Sequence, residues 1–401
     1  MATEHVPGAL SIAAGAWVGV GARDEPEQLS GVSHFLEHLL FKGTATKSAR
    51  EISQTVDRVG GDINAFTSKE YTAYYCRLPA RHQALGISLL GEVLTTPTLR
   101  DDDIANERHV ILEELAMDDD SPDDVAHRAF MRHLFPDHPL GRETAGSAET
   151  VELVTPDDVR SFFGAHYRAG SSVIAVAGPL DHDETLSQIE AAFSAMPAGD
   201  GRVRRTLSGN PTGGEIVEDD TEQVHLVLGM QSLRRDDDDR EVLDVVNHVF
   251  GGGLSSRLFD EIRERRGLAY SVYSGVSSYA DTGAFTIYAG TQPAHAAQVM
   301  GLIYEQLDLL VKDGITDDEL DIAKGYLTGA FELGLEDTGS RMARTAGQLI
   351  TLGKVRPVAE QVARWDAVQQ ADTRRVIERI LNQPLTVVAL GPIDASALPT
   401  R

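Results

Sequence analysis

The sequence predicts an α+β protein of two homologous domains, and three observations lead there. At 401 residues the chain exceeds what one hydrophobic core usually organises. Short β-rich runs alternate with longer runs of helical period. The second half also repeats the first. His38-Leu-Leu-Phe-Lys-Gly43 aligns with His248-Val-Phe-Gly-Gly-Gly253, Gly178-Pro-Leu-Asp181 with Gly391-Pro-Ile-Asp394, and Asp101-Asp-Asp-Ile104 with Asp317-Asp-Glu-Leu320, at offsets of 210, 213 and 216. The expected division is residues 1–200, a Gly-, Pro- and Arg-rich linker at 201–214, and residues 215–401.

Taken in order, 11–21 is rich in Val, Ala and Gly and reads as a buried strand ending at the turn-like 22–26. A helix starts near Leu29-Ser30. Residues 47–59 have helical periodicity and stop at Gly60-Gly61. The β-rich runs 62–68 and 71–78 form a hairpin around Lys69-Glu70. A helix over 83–94 ends before Pro97, and the acidic cap 101–103 opens another that runs to Met117, with Ile104, Val110, Ile111 and Leu115 for packing. Helices over 123–134 and 156–166, a strand over 171–178 and a helix over 184–196 complete the first half.

Composition narrows the function. A net charge of −26 argues against nucleic acid or an anionic membrane surface as partner and favours cationic ones. The acid lies in clusters such as 101–103, 118–120 and 236–239, which ordinarily mark solvated loops and helix starts. The single cysteine, Cys76, allows no internal disulfide and no Cys-based zinc site, which fits a reducing, cytoplasmic setting. Residues 9–22 are apolar but follow no basic segment, so they read as strand and not as a signal peptide. No apolar run approaches the roughly 18 to 20 residues of a membrane span.

The first helix of the chain carries the clearest chemistry. His34 and His38 lie four apart on one helical face with Glu37 beside them, in the order H-x-x-E-H. Two imidazoles at that spacing suit zinc, and a neighbouring carboxylate can accept a proton from a water that the metal acidifies. Zinc needs a third protein ligand from elsewhere. The helix after residue 101 offers Glu107, Glu113 and Glu114, with Glu107 and Glu114 two turns apart on nearly the same face. The repeat is an internal control: His34 and Glu37 become Asp244 and Asn247, while Glu107 and Glu114 become Ala323 and Ala330. The second copy keeps the scaffold without the chemistry, which points to Glu107 or Glu114 as the missing ligand.

These residues resemble the inverse-zincin peptidases of the pitrilysin, insulysin and mitochondrial processing peptidase family. The likeness rests on His34-Phe-Leu-Glu-His38 with Phe41-Lys-Gly-Thr44, on Asn64-Ala-Phe-Thr-Ser68 and on Glu107-Arg-His-Val-Ile-Leu-Glu-Glu114. In the second half it rests on Gly251-Gly-Gly-Leu-Ser-Ser-Arg-Leu-Phe259 and Arg263-Glu-Arg-Arg-Gly-Leu-Ala-Tyr270. It covers almost the whole chain, whose size is that of the short two-domain bacterial type.

The resemblance implies two domains, each a mainly antiparallel sheet covered on one side by helices, and a zinc endopeptidase. One Zn²⁺ per chain would be held by His34, His38 and Glu114, with Glu107 orienting a ligand imidazole and Glu37 as general base. Asn64, Ala65 and Phe66 would lie on an exposed edge strand to which the peptide adds as a further strand. Arg263 and Tyr270 would reach the substrate or its developing oxyanion, acting on the partner chain of a homodimer that encloses the site. Unfolded or targeting-type peptides, basic ones by preference, would be the substrates. A structural subunit without activity, or an enzyme active only with a different partner, is the competing implication; the intact His34, Glu37, His38 and Glu114 favour the enzyme. One departure is the start: family members usually carry a further strand ahead of the segment that begins here near Thr3, and its lack would expose a sheet edge.

Overall fold

In the computed structural model, strands and helices follow one another as β1 (Ala2–His5), β2 (Ser11–Val18), α1 (Val32–Leu39), α2 (Ala49–Asp57), β3 (Asp62–Thr67), β4 (Thr72–Pro79), α3 (Gln83–Thr95), α4 (Asp101–Asp119), α5 (Pro122–Leu134), α6 (Ala148–Leu153), α7 (Pro156–His166), β5 (Ser172–Gly178) and α8 (His182–Ala192). The second half continues with β6 (Gly214–Glu218), β7 (Val224–Ser232), α9 (Arg240–Asn247), β8 (Ala269–Ser278), β9 (Gly283–Thr291), α10 (Ala296–Asp313), α11 (Asp317–Gly334), α12 (Thr338–Leu352), α13 (Val358–Asp366), α14 (Gln370–Leu381) and β10 (Thr386–Gly391). Residues 1–200, 211, 213–393, 396 and 398–400 are described, so most of the expected linker lies outside the described residues.

The strands form two five-stranded sheets of the same topology, β1-β5-β2-β4-β3 and β6-β10-β7-β9-β8. In each, the first-named edge strand pairs parallel to its neighbour and every other pairing is antiparallel. The mainly antiparallel α+β architecture that the resemblance implies is therefore present twice. Ala65 stands opposite Tyr74 in the β3–β4 hairpin, and β3 has its other edge unpaired among the described residues.

Alternation along the strands decides what each face meets. In the first sheet Ile12, Ala14, Ala16 and Val18 of β2, with Tyr74, Cys76 and Leu78 of β4, face a core closed by α1, α3, α4 and α7. Cys76 is buried there, and burial pushes its thiol up to about 12. The opposite face is made of Ala13, Trp17, Ala73, Ala175 and Ala177, and α12 lies on it through Met342, Ala346 and Ile350. Small residues permit the approach: a Cβ at Gly15 would stand 2.7 Å from Met342 Sδ. The second sheet has the same device, with Ala126, Ala129, Phe130 and Leu134 of α5 on Val227, Ala284, Val388 and Leu390. A Cβ at Gly229 would stand 2.8 Å from Phe130.

Each sheet is therefore covered on both faces, not on one. The compact units are accordingly interleaved in sequence: Met1–Ala116, Arg142–Arg205 and Glu332–Val355 form one, and Met117–Gly141, Thr206–Phe331 and Arg356–Arg401 the other. One local expectation needs correction. Val110 of α4 is 43% exposed, because packing on this long helix is carried by Ile104, Ile111 and Leu115. The helix α6, capped by Ser147, is one that the sequence reading does not contain.

Candidate metal centre

The centre is built on α1. Its start is set by Gly31 at φ +97°, where a Cβ would also stand 2.4 Å from the carbonyl oxygen of Ala145. Glu25, buried, reaches over that start: Gly31 N–H donates to its Oε2 at 2.8 Å and Ser33 N–H to its Oε1 at 2.7 Å. One carboxylate thus satisfies two of the open amides of the helix. Burial pushes Glu25 up to about 7, against the lowering effect of those amides and of Arg142. Val32, Phe35, Leu36 and Leu39 face the core, which leaves His34, Glu37 and His38 on the other side of the helix.

His34 and His38 have ring centroids 4.7 Å apart. Glu114 of α4 comes up to both, its Oε2 3.4 Å from His38 Nε2 and 3.9 Å from His34 Nε2. Among the described residues, this is the one group of three or more His, Cys, Asp or Glu side chains whose donor atoms all lie within 4.8 Å of one another. Zinc bonds of about 2.0–2.2 Å in a tetrahedral site place donors roughly 3.4 Å apart, so the spacing and the donor chemistry fit that ion. Burial first, then the neighbouring His38, lowers His34 to about 4 against the opposing effect of Glu114 and Glu143. Neutral imidazole is the form that offers a lone pair to a metal.

Glu107, one of the two carboxylates the sequence left open as third ligand, stands behind the centre. Its Oε2 accepts from His38 Nδ1 at 3.1 Å and its Oε1 from Lys42 Nζ at 2.6 Å. A carboxylate only accepts, so the proton sits on Nδ1 and leaves Nε2 free. Glu37 lies beside the donor set and outside it, its Oε2 accepting from Thr67 Oγ1 at 2.7 Å.

Thr67 is the last residue of β3, whose Asn64 is exposed, Ala65 half-buried against the core and Phe66 exposed on the other face, touching Trp17, Tyr71 and Tyr75. Arg263 and Tyr270 belong to the second unit. The Arg263 guanidinium lies between the rings of Phe259 and Tyr270, 4.7 and 4.6 Å from their centroids, and its Nη1 donates to the Tyr270 carbonyl at 3.1 Å. Tyr270 is 80% exposed.

Lys42, Thr67 and Glu25 had no role in the sequence reading. The first two sit inside quoted motifs, Phe41-Lys-Gly-Thr44 and Asn64-Ala-Phe-Thr-Ser68, and their partners were not visible there.

Comparison with known proteins bears on this arrangement. The model of the insulinase family, peptidase family M16, matches residues 1–148, and that of the peptidase M16 inactive domain matches residues 153–327. A protein of Streptomyces coelicolor named as an uncharacterized zinc protease is 41% identical over 98% of this chain and 87% of its own length. One of the same description from Bacillus subtilis is 36% identical over 97% and 95%. A crystal structure described as a peptidase M16 inactive domain, from Pseudomonas fluorescens, matches with a TM-score of 0.90 at 22% identity over 98% of this chain and 95% of that one. A protease from Helicobacter pylori matches with a TM-score of 0.91 at 24% identity over 97% and 96%. At those identities the structural likeness is one of fold.

Proposed function

The chain belongs to the insulinase family of peptidases, family M16, and from that premise we propose that it is a zinc-dependent endopeptidase cutting unfolded peptides or targeting-type segments. The observation that carries the reading is the convergence of His34 Nε2, His38 Nε2 and Glu114 Oε2, with Glu37 beside the set and free of it. The description containing the word inactive covers residues 153–327, which include Arg263 and Tyr270 and none of the proposed ligands.

His34, His38 and Glu114 would hold the ion, which when bound polarises a carbonyl and brings the acidity of a water near neutrality. The remaining work falls to the chain. Thr67 donates to Glu37 Oε2, so Oε1 is the atom that receives a proton and passes it to the leaving amine. Glu107 keeps His38 turned with Nε2 forward. The unpaired edge of β3, at Asn64, Ala65 and Phe66, takes the peptide as an added strand through main-chain hydrogen bonds, a mode tolerant of sequence. Tyr270, with Arg263 stacked behind it, meets the substrate. A net charge of −26 favours cationic peptides, and the lone Cys76 fits a reducing cytoplasm.

Zinc content and cleavage of a quenched fluorescent peptide test the reading together. One zinc per chain and cleavage abolished by o-phenanthroline are expected; a zinc-loaded chain that cleaves neither a basic nor an acidic peptide ends it. In a homodimer, Arg263 and Tyr270 of one chain serve the metal centre of its partner. Mixing inactive Glu37→Gln chains with inactive Arg263→Ala chains then restores activity, and continued inactivity after verified exchange would remove Arg263 from that role.

A further inference from the structure

Glu107 is nearly closed off from solvent, with 7% of its side chain exposed, and each of its two oxygens has one partner: His38 Nδ1 at 3.1 Å and Lys42 Nζ at 2.6 Å. Both partners come from the same short stretch, His38 from the last turn of α1 and Lys42 from the residues that leave it. Glu107 itself lies on α4, seven residues before Glu114, a rise of roughly 10 Å along the helix. We propose that Lys42 is a positioning residue of the metal centre, anchoring Glu107 so that His38 presents Nε2 and α4 presents Glu114 at ligating distance.

The geometry separates this from an ordinary surface ion pair. A carboxylate held at one oxygen can swing about that contact, whereas one held at both has its plane and its position set. Freed from Lys42, Glu107 would still be buried beside His38 but could turn its oxygens toward other donors, and the imidazole would lose its fixed orientation. Lys42 is 37% exposed at its side chain, so screening weakens its pull, and its value lies in where it places Glu107 more than in attraction alone. The apolar contacts of Ile104, Ile111 and Leu115 hold α4 to the core without it. Loss of Lys42 should therefore disturb the metal more than the fold.

The inference rests on the metal-site reading but not on peptidase activity, and its readout is metal affinity, so failure of either is told apart. Zinc dissociation constants of the full chain and of Lys42→Met, Glu107→Gln and the double variant would be measured by competition with a chromophoric chelator, beside the melting temperature of each metal-free protein. Lys42→Met should weaken zinc about tenfold, the low end for groups that orient ligands. Its metal-free melting temperature should stay within a few degrees of the parent, and Lys42→Arg should recover most of the affinity. Because Lys42 acts through Glu107, the double variant should bind zinc no more weakly than Glu107→Gln alone. Wild-type affinity in Lys42→Met, losses that multiply in the double variant, or a fall in metal-free stability with affinity unchanged would each overturn the proposal.

Discussion

The two units build the same sheet and diverge at one helix pair. At the position of His34 the second unit has Asp244, whose carboxyl burial pushes up and which accepts from Trp365 Nε1 at 3.3 Å. In place of Glu37 it has Asn247, whose Oδ1 accepts from Ser274 Oγ at 2.8 Å. The one imidazole retained, His248, is buried and stacked on Tyr326 with centroids 4.2 Å apart. Where α4 carries Glu107 and Glu114, α11 has Ala323 and Ala330. Asp244 and Asn247 are thus met by neighbouring side chains of their own unit, while His34 and His38 of α1 converge with Glu114 on one point, the donor set proposed to hold zinc. The scaffold is indifferent to which solution it carries; the side chains on two helices decide.

The largest effect that would sharpen the comparison is on turnover. Glu37→Gln keeps the ligands and removes the proton acceptor, so peptide cleavage should fall by about 10²–10⁴ with zinc content near that of the parent. The mirror change, Asn247→Glu, should leave zinc at one per chain, because α11 has Ala323 and Ala330 where α4 has Glu107 and Glu114. A second equivalent of zinc would mean that the second unit is closer to a metal centre than its aromatic filling suggests. Next in size are the two glutamates of α4. Glu114→Gln should lose most of its zinc, whereas Glu107→Gln should bind it about ten- to a hundredfold more weakly. Chelator competition reads both, and exchanged phenotypes would make Glu107 the ligand.

Local chemistry explains which features could be read in advance. The helix over 156–166 was legible because Thr155 and Asp158 form a capping box around a first-turn proline. The β3–β4 hairpin showed in two β-rich runs about a short polar turn. That His34 and His38 share a face follows from helical spacing alone. The placement of α5 and α12 was not legible, since nothing within Thr338–Leu352 says which sheet it will cover; that depends on the alanines of β2, β4 and β5, more than 150 residues away. Lys42, Thr67 and Glu25 escaped for the same reason. Each looks like a common loop or strand residue until the fold brings Glu107, Glu37 or the start of α1 to it.

The smallest expected effect concerns how the two helices begin. Asp239, the residue just ahead of α9, makes no side-chain cap and is bound instead by Arg375 and Arg379 near the surface. Beneath α1 the acid is buried, and Glu25 is raised from 4.5 to about 7. A raised carboxyl means that the folded chain holds a proton the unfolded chain has released, so stability from this group is full below about pH 4.5 and is lost as pH rises through about 7. The span corresponds to at most about 3 kcal/mol, or roughly 6–12 °C in melting temperature for a unit of this size. Glu25→Gln removes the titration while keeping an acceptor for one of the two amides, at a pH-independent cost of about 1 kcal/mol. Melting of the metal-free chains should therefore fall more steeply between about pH 4.5 and 7 in the parent than in the variant, with other titrations common to both and cancelling. Parallel profiles would show that Glu25 stays charged in its buried place, held so by the amides of Gly31 and Ser33 and by Arg142.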